Sequence, residues 1–401
     1  MVIPDFELTQ EQKLLKQTAH EFSIKYFAPK VASEYEKKRE FPWDLYRKMA
    51  EQGFIGMTWP PEYGGQGASF TEQVIAHYEL IRYGDPSLTN AVIAGSFGSD
   101  MIAHFGTHEQ KAKWLPRVAK GEITSAACFT EPAGGSDISR KLDTQAVKDG
   151  DYWIINGTKT FITNATTASF FITLAQTDLN VQPSYRGQTE FIIERQNGIE
   201  TTAFEEKLGW LASPTGQVVF NNVKVRDDDI LGGPQNLNRG FYMGLMFLDQ
   251  ARAAIGVIAV ATAEQALEKA ISYSKERKAF GKPIAGFQGL GFRLVEMATK
   301  IEAAKSLVWK SVKMVEKTRE DLSFAEESVK LASMAKWYSA RVAVEACDLL
   351  VDVMAGYGYV ESDAERWYRF VKQLEIVEGT KEIQKNTIAR IMLGREILRA
   401  Y

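Results

Sequence analysis

The fold class depends most on one stretch of the chain, which is Tyr152-Trp153-Ile154-Ile155-Asn156-Gly157-Thr158-Lys159-Thr160-Phe161-Ile162-Thr163. Apolar and β-branched residues flank Asn156-Gly157, a dipeptide that is typical of a type I′ turn between two strands. The stretch therefore predicts a β-hairpin with strands over residues 152–155 and 158–163.

A similar pattern of short apolar segments continues beyond this stretch. Short apolar runs at residues 170–174, 191–193 and 218–225 are separated by turn-forming residues and predict further strands. Together they predict a small antiparallel β unit of about a hundred residues, an ordinary size for a domain. The pattern is helical before about Ile123 and again after Gly233, without alternation of strands and helices, which argues against a Rossmann sheet and favours an α+β fold.

The N-terminal flank has clear helix signals. Thr9 and Gln12 have the spacing of a capping box, so the first helix should begin directly after Thr9. A loop rich in proline and glycine is predicted over residues 60–67. Further helices are predicted near residues 43–52, 71–82, 88–105 and 108–120.

The C-terminal flank is predicted to be a four-helix bundle, because its helical segments are much longer than the usual helix of about 11–12 residues. These segments cover residues 239–275, 287–316, 324–354 and 380–399. We therefore expect an N-terminal helical domain at residues 1–123, a central antiparallel β domain at 124–234 and a C-terminal four-helix bundle at 235–401.

Composition and charge exclude several classes of function. The 48 basic and 51 acidic side chains give a net charge of −3, so no general positive field attracts nucleic acid, and an anionic ligand would need a local cationic site. Cys128 and Cys347 form no CxxC pair, and no histidine has metal-ligand spacing, so a metal site has little support. The N-terminus lacks the features of a targeting segment, and no stretch stands out as long and apolar enough to span a bilayer. We expect a soluble, cytoplasmic protein.

Two segments in the β region have residues that suit a ligand. Cys128 to Asp137 begin as a strand and end in a glycine-rich turn, where backbone amides and the hydroxyls of Thr130 and Ser136 could bind an anionic or carbonyl-rich ligand. An ordinary tight turn explains the glycines equally well. On the predicted strand 158–163, Phe161 and Thr163 point to the same side, where Phe161 could lie against a flat ring. The alternative is an aromatic on a buried strand face.

Glu378 stands immediately before the last predicted helix, for which Thr380 is a plausible N-cap. Its neighbours Leu374, Ile376 and Val377 are apolar. A carboxylate in apolar surroundings has a raised pKa and becomes a better base near neutral pH. The alternative is an acidic residue that favours a helix N-terminus.

Taken together, these segments resemble the signatures of the acyl-CoA dehydrogenase family, in the same order and over nearly the whole chain. The matching runs are Thr130–Asp137, Phe161–Asn164, Lys207-Leu208-Gly209-Trp210 with Ser213 and Thr215, Arg277 to Ile284 with Gln288, Gly356-Tyr357-Gly358-Tyr359, and Glu378-Gly379-Thr380.

The resemblance implies FAD as cofactor, an acyl-CoA substrate and a homotetramer built as a dimer of dimers. By resemblance, the flavin is bordered by Phe129, Thr130, Phe161 and Thr163, with Ser136 near both the flavin and the CoA chain. The FAD of a neighbouring subunit would be reached by Arg277, Phe280, Gln288 and Gly356, and Thr380 and Glu382 match positions near FAD. The substrate would be held by Ser136, Asp249, Arg252, Gly379 and Arg390.

The resemblance also implies a reaction. Glu378 would remove the α-proton of the thioester while the β-hydrogen passes as hydride to flavin N5, giving a 2-enoyl-CoA. Reduced FAD would pass its electrons to an electron-transfer flavoprotein. Some members place the base on the first long helix of the C-terminal domain, but the matching residue here is Ala251, which cannot act as a base.

The chain departs from the family pattern at several positions, which are Phe161 for tryptophan, Leu211 for arginine, Arg226 for proline, Asp352 for glutamine, Ala355 for glycine and Phe370 for aspartate. Val377 replaces the tyrosine that precedes the base in several straight-chain enzymes. A smaller residue beside the reacting carbons favours a branched, cyclic or aromatic acyl group. Two other functions stay open, an oxygen-reactive flavin oxidase on the same fold and a non-catalytic helical assembly protein.

Overall fold

The computed structural model describes residues 7–394 and confirms the order of helices, strands and helices. Residues 1–6, where no targeting segment was expected, and the predicted end of the last helix at Arg399 lie outside this range. The N-terminal helices are α1 (Gln10–Tyr26), α2 (Pro29–Lys38), α3 (Trp43–Glu51), α4 (Phe70–Tyr83), α5 (Pro86–Ile93), α6 (Ser99–Phe105) and α7 (His108–Ala119).

The capping box at the start of α1 is confirmed. Thr9 Oγ1 accepts from the Gln12 backbone N–H at 3.2 Å, and Gln12 Oε1 accepts from the Thr9 backbone N–H at 3.2 Å. The single helix predicted over residues 88–105 is instead divided into α5, a 3₁₀ turn and α6. Gly98 before α6 has φ +97°, a left-handed conformation that ends helical geometry.

The central domain is a sheet of seven strands, β1 (Thr124–Cys128), β2 (Gln145–Asp149), β3 (Tyr152–Ile162), β4 (Ala168–Gln176), β5 (Gln188–Glu194), β6 (Ile199–Ala203) and β7 (Gly216–Val225), in the part of the chain that the structure describes. Their order is β1-β4-β2-β3-β7-β6, with β5 paired to β4. The strands predicted at 170–174, 191–193 and 218–225 lie within β4, β5 and β7. Because β1 runs parallel to β4, the sheet is mixed rather than wholly antiparallel.

The hairpin predicted at Asn156-Gly157 is wrong. β3 runs straight through these residues, and the turn lies earlier, where Gly150 and Asp151 connect Asp149 to Tyr152. A Cβ on Gly157 would lie 2.4 Å from Thr144 Cα, so the glycine is required by a close approach of two backbones rather than by a turn.

The C-terminal helices are α8 (Gly240–Glu276), α9 (Gln288–Glu320), α10 (Ala325–Met354), α11 (Gly356–Tyr359), α12 (Asp363–Leu374) and α13 (Lys381–Leu393), with a small ribbon of β8 (Lys278–Ala279) and β9 (Lys282–Pro283) after α8. Helix α10 packs against α8, α9, α12 and α13. Thr380 caps α13 as predicted, because its Oγ1 accepts from the Ile383 N–H at 3.3 Å. Helix α12 was not predicted.

Helix α8 corrects the expectation that no stretch is long and apolar enough to cross a membrane, since by length and composition it is. Within the described residues, 61% of its most apolar 18-residue window is buried inside the protein. It packs against α4, α9 and α10, and a helix that is covered on most sides in a bundle becomes apolar all round. The character of α8 is therefore weak evidence for a membrane span.

Candidate active site

Glu378 lies in a sharp turn between α12 and α13. Its backbone has φ +56°, and Gly379 follows with φ +93°. A left-handed conformation at a residue other than glycine costs about 1–3 kcal/mol and persists only where surrounding contacts impose it. Such positions are concentrated at functional sites.

Three buried side chains impose this turn. Glu378 O accepts from Arg252 Nε at 3.2 Å and from Gln384 Nε2 at 2.9 Å. Gly379 O accepts from Lys336 Nζ at 2.8 Å and from the same Gln384 amide at 3.0 Å. The donors belong to α8, α10 and α13, so the packing of three helices fixes the position of Glu378.

The electrostatic environment raises the proton affinity of the Glu378 carboxyl group. Loss of hydration raises the pKa of the half-buried Glu378 carboxyl to about 7, although the positive charges of Lys336 and Arg252 oppose this. Burial lowers the pKa of Lys336 to about 8. A base whose pKa lies close to the operating pH combines a large ionised fraction with a strong affinity for the proton.

The fold brings together three of the residues expected to bind the CoA chain, which are Asp249, Arg252 and Gly379. Arg252 donates to Asp249 Oδ1 at 2.5 Å, and burial raises the pKa of Asp249 to about 6 while Arg252 opposes the rise. Gly379 lies in the same turn as Glu378. Arg390 is exposed in the last turn of α13, roughly 15 Å along the helix axis from Thr380 at 1.5 Å per residue. The exposed Glu382 lies in the first turn of that helix.

Phe129 and Thr130 are held against the end of β3 by a buried ion pair. Lys159 Nζ donates to Phe129 O at 3.1 Å and to Glu131 Oε1 at 3.0 Å, and the Thr160 N–H donates to Thr130 O at 2.9 Å. Both side chains of the Lys159–Glu131 pair are fully buried. The two residues therefore fix Phe129 and Thr130 beside Phe161, whereas Ser136 is exposed in the following turn.

Phe161 presents its ring to solvent rather than to the core. The residue is 67% exposed, has φ +58°, and its ring packs on that of Phe204 with centroids 5.2 Å apart. The positive φ breaks the strand alternation that was expected to align it with Thr163, which is half-buried beyond the end of β3. The alternative interpretation of Phe161 as a buried strand aromatic is wrong.

Two residues of a second predicted group line a cleft of about 460 Å³ at the C-terminal domain. Arg277 and Gly356 line it together with apolar side chains such as Ile284 and Val353. Phe280 is 95% exposed beside the β8–β9 ribbon, and the exposed Gln288 begins α9. Arg277 and Gly356 thus lie in one largely apolar cleft that has a positive charge. Phe280 and Gln288 lie on chain segments next to its lining residues Arg277 and Ile284.

Three departures from the family pattern have structural accounts. Phe370 is fully buried and stacks on Trp210 with ring centroids 5.6 Å apart, so this apolar replacement extends the core. Asp352 accepts from Arg293 at 2.6 Å. Val377 is partly buried against the C-terminal core. Nothing in the structure explains Leu211.

Several residues of the site were missed from the sequence. Lys336 and the Glu131–Lys159 pair join residues that are far apart in the chain, so no local motif marks them. Gln384 is close in sequence to the carbonyl groups that it contacts, but a polar residue at that position does not by itself indicate this role. A charged residue within an otherwise apolar helix or strand was the signal that could have indicated them. Lys336 has this signal, and so does Glu190.

Glu190 of β5 is a buried carboxyl group beside the site. It is 1% exposed, and neither oxygen has a hydrogen-bond partner among the described residues. A Cβ on Gly244 of α8 would lie 2.9 Å from Glu190 Oε1 and 2.7 Å from Cε1 of Phe129, so the carboxyl group and the Phe129 ring meet at the same point of α8. Burial raises the pKa of Glu190 well above its ordinary value.

Glu190→Gln should stabilise the protein increasingly as pH rises. The folded state binds a proton that the unfolded state releases above pH about 4.3, so the wild type loses up to about 1.4 kcal/mol per pH unit, until Glu190 ionises in the folded state. Glutamine has no such loss. Thermal midpoints at pH 5, 6 and 7 should diverge between the two proteins, whereas Glu194→Gln, an exposed position on the same strand, should follow the wild type. A constant difference across pH would contradict the assignment.

Comparison with known families covers all three parts of the fold. The model described as "Acyl-CoA dehydrogenase, N-terminal domain" matches residues 9–122, that of the middle domain matches residues 126–223, and that of the C-terminal domain matches residues 238–393.

Individual proteins are similar over nearly the full chain. The 3-(aryl)acrylate reductase of Clostridium sporogenes is 36% identical, covering 96% of this chain and 99% of the relative. A subunit of the caffeyl-CoA reductase-Etf complex of Acetobacterium woodii is 33% identical, again with 96% and 99% covered. The structure of butyryl-CoA dehydrogenase from Megasphaera elsdenii is 33% identical, with a TM-score of 0.86 over 99% of this chain and 100% of that chain.

Proposed function

The chain belongs to the acyl-CoA dehydrogenase family and is an oxidoreductase acting on acyl-CoA, and we propose that it interconverts an acyl-CoA and its 2-enoyl-CoA with Glu378 as the base. The observation that carries this proposal is the Glu378 turn, where a carboxyl group with a pKa of about 7 is held by Arg252, Lys336 and Gln384.

The described residues fit FAD, the cofactor of this family. Phe161 offers an exposed flat ring next to Thr130, and Arg277 offers a positive charge in an otherwise apolar cleft. An apolar face and a local cation are what a cofactor with a flat ring and a pyrophosphate requires. Phe129, Thr130, Phe161 and Thr163 would hold the ring, and Arg277, Phe280, Gln288 and Gly356 would reach the FAD of a neighbouring copy in a homotetramer.

The chain's own residues would perform the proton chemistry. Glu378 would take the α-proton, and a backbone N–H group of its turn would stabilise the enolate-like oxygen, where one such donor contributes about 10²–10³ in rate. Arg252 and Arg390 provide the cationic contacts for the CoA portion that the net charge does not provide. Bound FAD would supply the acceptor for the β-hydrogen at N5.

The electron-transfer partner is proposed to be an electron-transfer flavoprotein. The Acetobacterium woodii relative is named as part of a reductase-Etf complex, which supports this assignment. Anaerobic mixing with an acyl-CoA should bleach bound flavin, and electron-transfer flavoprotein should restore the colour. Rapid re-oxidation by air alone with stoichiometric peroxide would instead indicate an oxidase.

The acyl group is proposed to be aromatic, with a 3-arylpropionyl-CoA and its 3-arylacryloyl-CoA as the redox pair. Val377 is smaller than the tyrosine that precedes the base in several straight-chain enzymes, and relatives named as 3-(aryl)acrylate reductase and caffeyl-CoA reductase support this choice. Their names as reductases favour the saturating direction.

A substrate panel tests this choice. 3-Phenylpropionyl-CoA should bleach the flavin at least about tenfold faster than butyryl-CoA or octanoyl-CoA, which corresponds to about 1.4 kcal/mol of transition-state binding. Val377→Tyr should reverse the preference by placing a larger side chain next to Glu378, and Val371→Ile, a buried position on α12, should not. Fastest bleaching of the wild type with butyryl- or octanoyl-CoA would overturn the aromatic assignment but leave the reaction class intact.

A further inference from the structure

A fully buried lysine touches the turn of the proposed base from a helix that has no part in the family motifs. Lys336 lies in the middle of α10, its side chain is inaccessible to solvent, and its Nζ donates to Gly379 O at 2.8 Å. A buried ammonium group is retained only where it has a partner that requires it, because the loss of its hydration is otherwise unfavourable.

The partner that requires Lys336 is the strained turn. Two consecutive residues there have positive φ, and their carbonyl groups would lose hydration without donors. Gln384 donates to both carbonyl groups and Arg252 donates to that of Glu378. Lys336 is the charged donor to the carbonyl group of Gly379, the residue directly after Glu378.

The charges around Glu378 come from every element that packs on the turn. Arg252 and Asp249 face it from α8 as an ion pair, and Lys336 faces it from α10. Glu375 at the end of α12 is engaged by the Lys372 and Lys381 side chains, and Glu382 is exposed on α13. Arg252 is already paired with Asp249, whereas the side-chain hydrogen bond that Lys336 makes among the described residues is to the turn itself.

We propose that Lys336 is a positioning residue for the proposed base: its hydrogen bond to Gly379 holds the turn, and its buried positive charge favours the ionised form of Glu378. This inference rests on the proposed function. When Glu378 receives the α-proton its negative charge disappears, so the attraction from Lys336 favours the return of that proton to solvent after each turnover.

The two roles of Lys336 can be separated by substitution. Lys336→Gln retains a hydrogen-bond donor but removes the charge, so the acidic limb of the pH profile for flavin reduction should move upward by about 1 unit. Lys336→Met removes both, so the maximal rate should also fall, by about tenfold. Lys336→Arg retains charge and donor and should keep the acidic limb of the wild type. Gln384→Leu removes uncharged donors alone, so it should lower the maximal rate without moving the limb.

Lys305→Met is the matched control for the loss of a buried lysine. Lys305 is buried on α9 and paired with Glu264 and Glu302, away from the turn, and its removal should lower thermal stability without moving the limb. A wild-type acidic limb in Lys336→Gln, or an equal upward shift in Lys336→Arg, would overturn the proposal. Absence of flavin reduction by any acyl-CoA in the wild type would instead refute the proposed function itself.

Discussion

Replacing Glu378 with glutamine should slow the reduction of bound FAD by an acyl-CoA by at least about 10²–10⁴-fold, the usual contribution of a general base. Glutamine has nearly the same shape as glutamate and leaves the hydrogen bonds to the backbone of the turn in place. FAD content and affinity for the thioester should therefore be preserved. Anaerobic stopped-flow absorbance of the flavin measures the rate.

The control for this substitution is Glu375→Gln. Glu375 is the next carboxylate upstream, is buried, and is engaged by the Lys372 and Lys381 side chains. Its variant should reduce flavin within about tenfold of the wild-type rate, because Glu375 does not face the reacting carbons; tenfold corresponds to only about 1.4 kcal/mol. Equal rates for Glu378→Gln and the wild type would assign proton removal to another residue.

The second large effect is expected at the ion pair that fixes Phe129 and Thr130. Lys159→Met leaves the buried Glu131 carboxylate with Arg140 as its remaining cation, and breaking a buried pair costs at most about 3–5 kcal/mol. It also removes a donor from Phe129 O. The variant should have a markedly lower thermal midpoint and retain less FAD, as measured by calorimetry and by the ratio of flavin to protein absorbance.

Two comparisons make this prediction specific. In the double variant Lys159→Met with Glu131→Gln, the buried carboxylate that has lost its lysine is absent, so part of the lost stability should return. Lys148→Met removes an exposed ion pair with Asp227 from the same sheet and should cost at most about 1 kcal/mol. A loss for Lys159→Met no larger than that for Lys148→Met would contradict a role for the buried pair.

Much of the fold follows from local sequence signals. The capping residues Thr9 and Thr380 are correctly placed because a side chain and a nearby backbone N–H form a cap without help from the rest of the chain. The strand runs within β4, β5 and β7 are correct because their apolar, β-branched residues fit a buried sheet.

The wrong predictions concern segments whose structure is determined by residues far away in the sequence. Asn156-Gly157 has the chemistry of a turn, but the pairing of β3 with β7 and the approach of Thr144 keep both residues within one continuous strand, with an irregularity in its register between Ile155 and Gly157. Helix α8 is apolar all round because the surrounding helices cover it, which no local pattern reveals.

The same distinction between local sequence signals and contacts of distant residues applies to the candidate site. Glu378 could be selected from its segment and from the family resemblance. Its donors could not, because Arg252 and Lys336 are separated from it by long stretches of chain and meet it only through the packing of α8, α10 and α13. The pKa of about 7 at Glu378 is therefore a property of the assembled bundle rather than of the motif.

The central claim is that Glu378 removes the α-proton of an acyl thioester. A thioether analogue with sulfur in place of the β-carbon has no β-hydrogen to transfer, so proton removal can be observed alone. In D₂O, the FAD-loaded wild type should exchange the α-hydrogens of this analogue for deuterium, as detected by mass spectrometry, and Glu378→Gln should not. Exchange by Glu378→Gln at the wild-type rate would contradict the claim.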